Sequence, residues 1–271
     1  MRIAAVPLLA ASLNAAQKKI VLIAGRPSHP PGSHEFNAGV TLLDKVLRQN
    51  KVFPVIVRGG WPEDPAVFQD AASIVFYMDG GERHPMLQPG RLEMLRTLAA
   101  KGAGIACLHY AVEVPKDNGG AELLSWIGGY YERPYSTNPV NDATLEPGAP
   151  AHEISRGWSG FSIRDEWYYR MRFEPTGVIP ILTTMLPKND PQREVVAWAK
   201  QRPGGGRGFG FTGGHFHRNW ANPDFRRLVT NAILWTAKAK IPRGGARCDV
   251  SPDDLTTGLD PKPEPRPAQK K

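Results

Sequence analysis

Ile20-Val21-Leu22-Ile23-Ala24, closed by Gly25, is an unbroken apolar run of strand length. A strand with one wet face alternates apolar and polar residues, whereas a run without alternation suits a strand covered on both faces, as in a parallel sheet. The same texture returns at Phe53-Pro54-Val55-Ile56-Val57, Ser73-Ile74-Val75-Phe76-Tyr77 and Gly104-Ile105-Ala106-Cys107-Leu108. Pro54 marks a strand start or an edge. Between the runs, Phe36, Val40, Leu43 and Leu47 recur at helical spacing, as do Leu92, Leu95 and Leu98, and a short helix is expected over 65–71. Buried strands alternating with helices predict βαβ units and an α/β fold with a mostly parallel sheet. From residue 130 the texture changes. Short strand candidates at 129–133, 143–145, 161–163, 178–182 and 195–198 are separated by Pro, Gly and Asp, which predicts a short-strand antiparallel extension. A last buried strand at 208–212 leads to Gly213-Gly214-His215, and Phe225, Leu228, Ala232 and Trp235 mark a closing helix.

The 271 residues are 41% hydrophobic and 22% charged, which excludes a wholly disordered chain and a coiled coil. No apolar run approaches the ~20 residues that cross a bilayer. Two cysteines, Cys107 inside an apolar run and Cys248 near the C-terminus, exclude a disulfide scaffold. The start, MRIAAVPLLAASLNAA, has the order of a secretory signal cut near Gln17. The chain is then periplasmic or extracellular if that signal is real, and cytoplasmic otherwise. Residues 242–271 are rich in Pro, Gly and charge without apolar periodicity and are expected to be a disordered tail, leaving 17–241 as the folded domain. The net charge is +8, and residues 197–247 carry ten Lys/Arg against the single acid Asp224. No dense basic stripe and no zinc finger accompany them, so nucleic acid is not an expected partner.

Ligands of open parallel sheets bind beyond the carboxyl ends of the strands. Of the seven histidines, His29, His34, His84, His109, His215 and His217 all fall at predicted strand exits; His152 lies in the irregular middle. If the topology holds, imidazoles crowd one rim of the sheet. Asp79 follows the third strand and Glu35 follows His34, where it can also serve the start of the first helix. Arg164-Asp165-Glu166-Trp167-Tyr168 places adjacent carboxylates beside aromatics, and a carboxyl desolvated by such rings holds its proton longer and can donate it. Neutral imidazoles with a carboxylate suit zinc or manganese, although no HExxH spacing is present and the ligands would come from distant loops. Cys107 should point into the packing. The stretch Pro203-Gly204-Gly205-Gly206-Arg207-Gly208 lacks the Lys-Ser/Thr of a phosphate-binding loop, so no nucleotide cofactor is expected.

Four ordered segments carry a family resemblance: Ala24-Gly25-Arg26-Pro27-Ser28-His29 with Gly32-Ser33-His34-Glu35-Phe36; Gly104-Ile105-Ala106-Cys107-Leu108-His109; Asp165-Glu166-Trp167-Tyr168; and the strand from Gly208 to Thr212 with Gly214-His215 and Asn219-Trp220. Together they resemble the ThuA-like (trehalose utilisation) family over residues 19–237. The resemblance implies a flavodoxin-like fold similar to the class I glutamine amidotransferases, with helices on both faces of the sheet. It also implies a role in catabolism of trehalose or related glycosides, with keto-sugar intermediates supplied by a partner sugar dehydrogenase. Amidotransferases carry a Cys nucleophile where this chain has His109.

The leading expectation is an enzyme that cleaves or rearranges a sugar such as a 3-keto-glycoside by acid–base chemistry. His109 or His215 would be the base and Glu166 the acid; His34, Asp79, Asp165, Tyr168 and His217 would bind the sugar, and a divalent metal could polarise its carbonyl. A non-catalytic sugar-binding module stacking on Trp126, Tyr130, Tyr131 and Trp167 is the second reading. An amidase using Cys107 is the third.

Overall fold

The computed structural model describes residues 17–262. The export-signal reading of residues 1–16 falls outside the described residues. One nine-stranded sheet organises the chain. Its parallel half contains β1 (Lys19–Ala24), β2 (Phe53–Val57), β3 (Ala71–Tyr77), β4 (Gly104–Leu108) and β11 (Arg207–Phe211), in the order β2-β1-β3-β4-β11. Its antiparallel half continues through β10 (Gln192–Gln201), β9 (Val178–Leu186), β6 (Val140–Pro147) and β7 (Phe161–Glu166). A separate ribbon pairs β5 (Gly129–Tyr130) with β8 (Arg172–Phe173). The α/β class, the mostly parallel sheet and the antiparallel extension all stand as the sequence predicts.

The period of two along each strand sorts the core into two layers. Ile20, Leu22 and Ala24, with Val75, Tyr77, Ala106 and Leu108, face α1 (Phe36–Arg48) and α4 (Pro223–Thr236). Val21 and Ile23, with Ile74, Phe76, Ile105 and Cys107, face α2 (Arg91–Ala100) and α3 (Ala121–Ile127). Burial on both faces explains the unbroken apolar runs. The 65–71 helix is a 3-10 turn at Pro65–Phe68, capped by Asp64, which accepts from Ala66 N. Nothing in the apolar spacing foreshadows α3, a helix of seven residues that follows two glycines and ends at Gly128 in the left-handed region (φ 92°).

Residues 242–262 correct the disordered-tail reading. They lie along α1 and α4, with Ala246 and Cys248 buried. Asn231 and Ala246 are bonded, Gln49 and Asn50 bind the backbone of Asp249 and Arg247, and Lys45 pairs with Asp254. Composition misleads here because the segment is held by polar side chains of the body gripping its backbone, which leaves no periodic signal. The basic excess is likewise partly internal. Arg202 donates to Trp126 O and Ala103 O, while Arg226, expected on a polar face, is buried and donates to Trp220 O and Cys248 O.

Candidate functional site

Four loops deliver the site. The loops after β1 and β11 are joined by a bridge between Ser33 and Phe216 and by His34 N donating to His215 O at 2.9 Å. The β6–β7 hairpin joins β9 through only two register pairs, Glu146↔Thr183 and Pro147↔Leu182. Its other end swings across, so that Asn219 Nδ2 donates to Arg164 O at 3.0 Å and the end of β7 meets the loop after β11. His109 leaves β4 directly, at φ 53°, and His34 and His29 are also left-handed, at φ 50° and 60°. Each such residue costs about 1–3 kcal/mol and persists only where its surroundings over-determine it. Gly214, at φ 111°, makes the turn that presents His215.

The result is a convergence of ring nitrogens. His34 Nε2 lies 3.0 Å from His109 Nε2 and 3.0 Å from His215 Nδ1. Glu166 Oε2 stands 3.5 Å from His109 Nε2 and 3.3 Å from His215 Nδ1. The tautomers follow from the outer partners. His34 Nδ1 donates to Asp79 Oδ1 at 2.8 Å, and His109 Nδ1 donates to Thr212 O at 2.8 Å. In a neutral ring the proton is then spent, so both Nε2 atoms present bare lone pairs to each other. Burial keeps the rings neutral: it lowers the His34 pKa to about 2, with His29 and His215 adding to it, and holds His109 well below the ordinary histidine value. Two lone pairs at 3.0 Å repel unless a cation lies between them. Ligand atoms ~2.0–2.1 Å from a tetrahedral zinc stand about 3.3 Å apart, close to the separations found here. An outer carboxylate and an outer carbonyl fixing two imidazoles are the supports that metal-ligating histidines use.

Asp165 is fully buried beneath this cluster. Its Oδ2 accepts from Gly214 N at 2.7 Å; its Oδ1 accepts from His215 N at 3.1 Å, Phe216 N at 3.3 Å and Glu166 N at 2.9 Å. Burial raises its pKa, against the pull of these donors. Glu166 shifts the other way. Burial acts to raise it, but the bond from His215 and the neighbouring imidazoles outweigh that, and its pKa is lowered. It is therefore a carboxylate at neutral pH, which corrects the reading of Glu166 as a proton donor.

A cleft of about 1390 Å³ opens beside the cluster, entered past His29 and Asp79 and lined by Arg26, Trp61, Tyr110, Glu113 and Arg133 among others. Burial pushes Glu113 up to about 7 despite Arg133 Nε at 2.6 Å from its Oε1, and its Oε2 has no partner.

The ThuA family model, described as trehalose utilisation, matches residues 21–236. The chain belongs to the ThuA family. A ThuA-like protein from Bacteroides uniformis has TM-score 0.61 at 14% identity, over 84% of this ThuA chain and 94% of that one. One from Parabacteroides merdae has TM-score 0.60 at 16% identity, over 88% and 99%. A carbohydrate deacetylase has TM-score 0.52 at 12% identity, over 82% of this chain and 33% of that chain. At such identities the likeness is one of fold. No curated protein matches.

Of the residues expected at the site of this ThuA protein, the structure brings His34, His109, Glu166 and His215 together, with Asp79 behind His34. Asp165 cannot bind a sugar, because both its oxygens are buried and taken. Tyr168 is also buried; its hydroxyl bonds Glu166 and its ring lies 5.0 Å from that of His109, so it forms a wall. His217 turns away and donates to Leu255 O at 2.9 Å. His84 is buried elsewhere, capping Met86 N, and His152 caps Ile154 N. Trp126, Tyr130, Tyr131 and Trp167 are all buried, so they offer no sugar platform. Cys107 is sealed in the core and burial raises its thiol pKa, which removes the amidase nucleophile. Glu113 is missed by sequence reasoning; a lone carboxylate in Tyr110-Ala111-Val112-Glu113-Val114 was its signal. Thr212 acts through its carbonyl and leaves no signal.

Proposed function

We propose that this chain is a divalent-cation-dependent enzyme of sugar catabolism that takes a trehalose-type disaccharide or a keto-glycoside in the cleft beside Asp79 and Tyr110. The meeting of bare His34, His109 and His215 nitrogens with Glu166 carries this reading. It reassigns His109 and His215 from base to ligand. Family membership supports the sugar, and the polar cleft has room for one. A zinc or manganese ion held by these residues would polarise a substrate carbonyl or hydroxyl oxygen. Asp79 and Thr212 O keep two ligand lone pairs aimed inward. Glu166, ionised at neutral pH, accepts the proton from a carbon beside a keto group, a C–H acidified by that group. Glu113, whose acid form persists to about 7, returns a proton to the leaving oxygen. A sugar dehydrogenase is the class of reaction that would supply such a keto substrate.

The test is turnover of 3-keto-disaccharides, trehalose and acetylated sugars by wild type, His109→Ala, His215→Ala and Glu166→Gln, with and without chelator. The expected result is turnover of one class that chelation abolishes, that zinc or manganese restores, and that each variant loses. Product formed equally fast in chelator and in all variants overturns the proposal. Export is tested separately, by N-terminal sequencing of protein from the cell envelope, with a start near Gln17 expected.

A further inference from the structure

The segment after α4 ends on the loop that carries His34. Lys262, whose side chain is 2% exposed, donates from Nζ to Ser33 O and to His34 O, the latter at 3.1 Å, and pairs with Glu35 Oε1 at 3.2 Å. Glu35, also 2% exposed, sits at the start of α1 but makes no cap bond there. Its oxygens accept from Gly32 N at 2.8 Å and from Asp260 N at 3.0 Å. Asp260 in turn accepts from Asn37 Nδ2 at 2.7 Å. The His34 loop is thus closed by a charge and a backbone donor that both come from beyond residue 236, where the family match stops.

His34 needs such support. It stands at φ 50°, a conformation that does not hold itself. Its own peptide carbonyl and that of Ser33 point at the Lys262 ammonium, and the Glu35 charge next to it is buried. Removing the ammonium would leave Glu35 as a buried charge with only two backbone donors, and the loop would rearrange to reach water.

We infer that Lys262 is a positioning residue: through Ser33 O, His34 O and Glu35 it fixes the loop that aims His34 Nε2 into the imidazole cluster, which makes the C-terminal strap a part of the site. Its consequence for metal rests on the cation reading above.

The experiment compares full-length wild type, Lys262→Met and Lys262→Arg by amide hydrogen exchange over residues 28–36 and by cobalt(II) titration followed in the visible spectrum. In Lys262→Met, exchange at Ser33–Phe36 should accelerate while α2 and β4 are unchanged. Cobalt affinity should fall about 10–100-fold, the usual effect of losing an outer support, and Lys262→Arg should recover most of both. Unchanged exchange at Ser33–Phe36 in Lys262→Met overturns the inference, whatever the metal result; so does faster exchange with full cobalt affinity. A wild type that binds no cobalt rejects the cation reading instead, and exchange alone then decides whether the strap holds the loop.

Discussion

Replacing Asp165 by Asn changes one oxygen to NH₂ and little else in shape. The carboxylate takes one backbone donor on Oδ2 and three on Oδ1. In the better amide orientation the NH₂ faces Gly214 N, leaving that buried donor unpaired against another donor, and the remaining bonds lose their charge assistance. An orphaned buried group costs about 1–3 kcal/mol, and charge-assisted bonds are roughly twice as strong as neutral ones, so a loss of about 2–4 kcal/mol is expected. For a domain of this size, each kcal/mol lowers Tm by about 2–4 °C, so the melting point should drop by roughly 4–16 °C. The effect is not only on stability, because those donors sit on Gly214, His215 and Phe216. Freeing the turn moves the His215 ring, so zinc affinity should fall by about 10–100-fold. Thermal melts with and without zinc, together with calorimetric titration, read both. An Asp165→Asn protein melting within about 2 °C of wild type, with unchanged zinc affinity, refutes the positioning role.

Asp79→Ala leaves His34 free to choose its tautomer, and metal affinity should fall about tenfold or more with little loss of stability, since Asp79 is partly exposed; a titration at constant Tm checks it. A maleimide should leave Cys107 unmodified in the native protein and label it only after denaturation; rapid native labelling with loss of activity would restore the amidase reading. The folded pKa values of His34 and His109 lie below that of an unfolded histidine, near 6.5. Between the folded and unfolded values the unfolded chain binds more protons, so their contribution is whole above about pH 6.5 and is lost as pH falls toward about 2. The Tm of metal-free protein should therefore fall between about pH 7.5 and about pH 5, and His34→Phe should flatten that slope. Equal slopes would contradict it.

What the sequence made legible is what local chemistry encodes. The runs at 20–24, 73–77 and 104–108 read as doubly covered strands because both faces are covered, and their exits located His34, Asp79, His109 and His215. Position after a strand does not fix where a ring points. His217 stands two residues beyond His215, yet a 3-10 turn at His217–Ala221 carries it to the strap. The aromatics beside Asp165 and Glu166 read as a platform but fill the core, because Trp167 and Tyr168 pack under the hairpin that swings across the sheet end. That swing depends on a two-pair junction between β6 and β9, which no periodicity reports. The strap was illegible for the same reason: Glu35 and Lys262 are separated by most of the chain.

The central claim is that His34, His109, His215 and Glu166 hold one cation. Isothermal titration of the metal-free protein with zinc, set beside elemental analysis of the purified protein, measures this most directly. One equivalent is expected, with affinity severely reduced by His34→Ala, His109→Ala or His215→Ala while His84→Ala and His152→Ala bind as wild type. Neither zinc nor manganese binding to wild type, or binding that survives all three cluster substitutions, would contradict it.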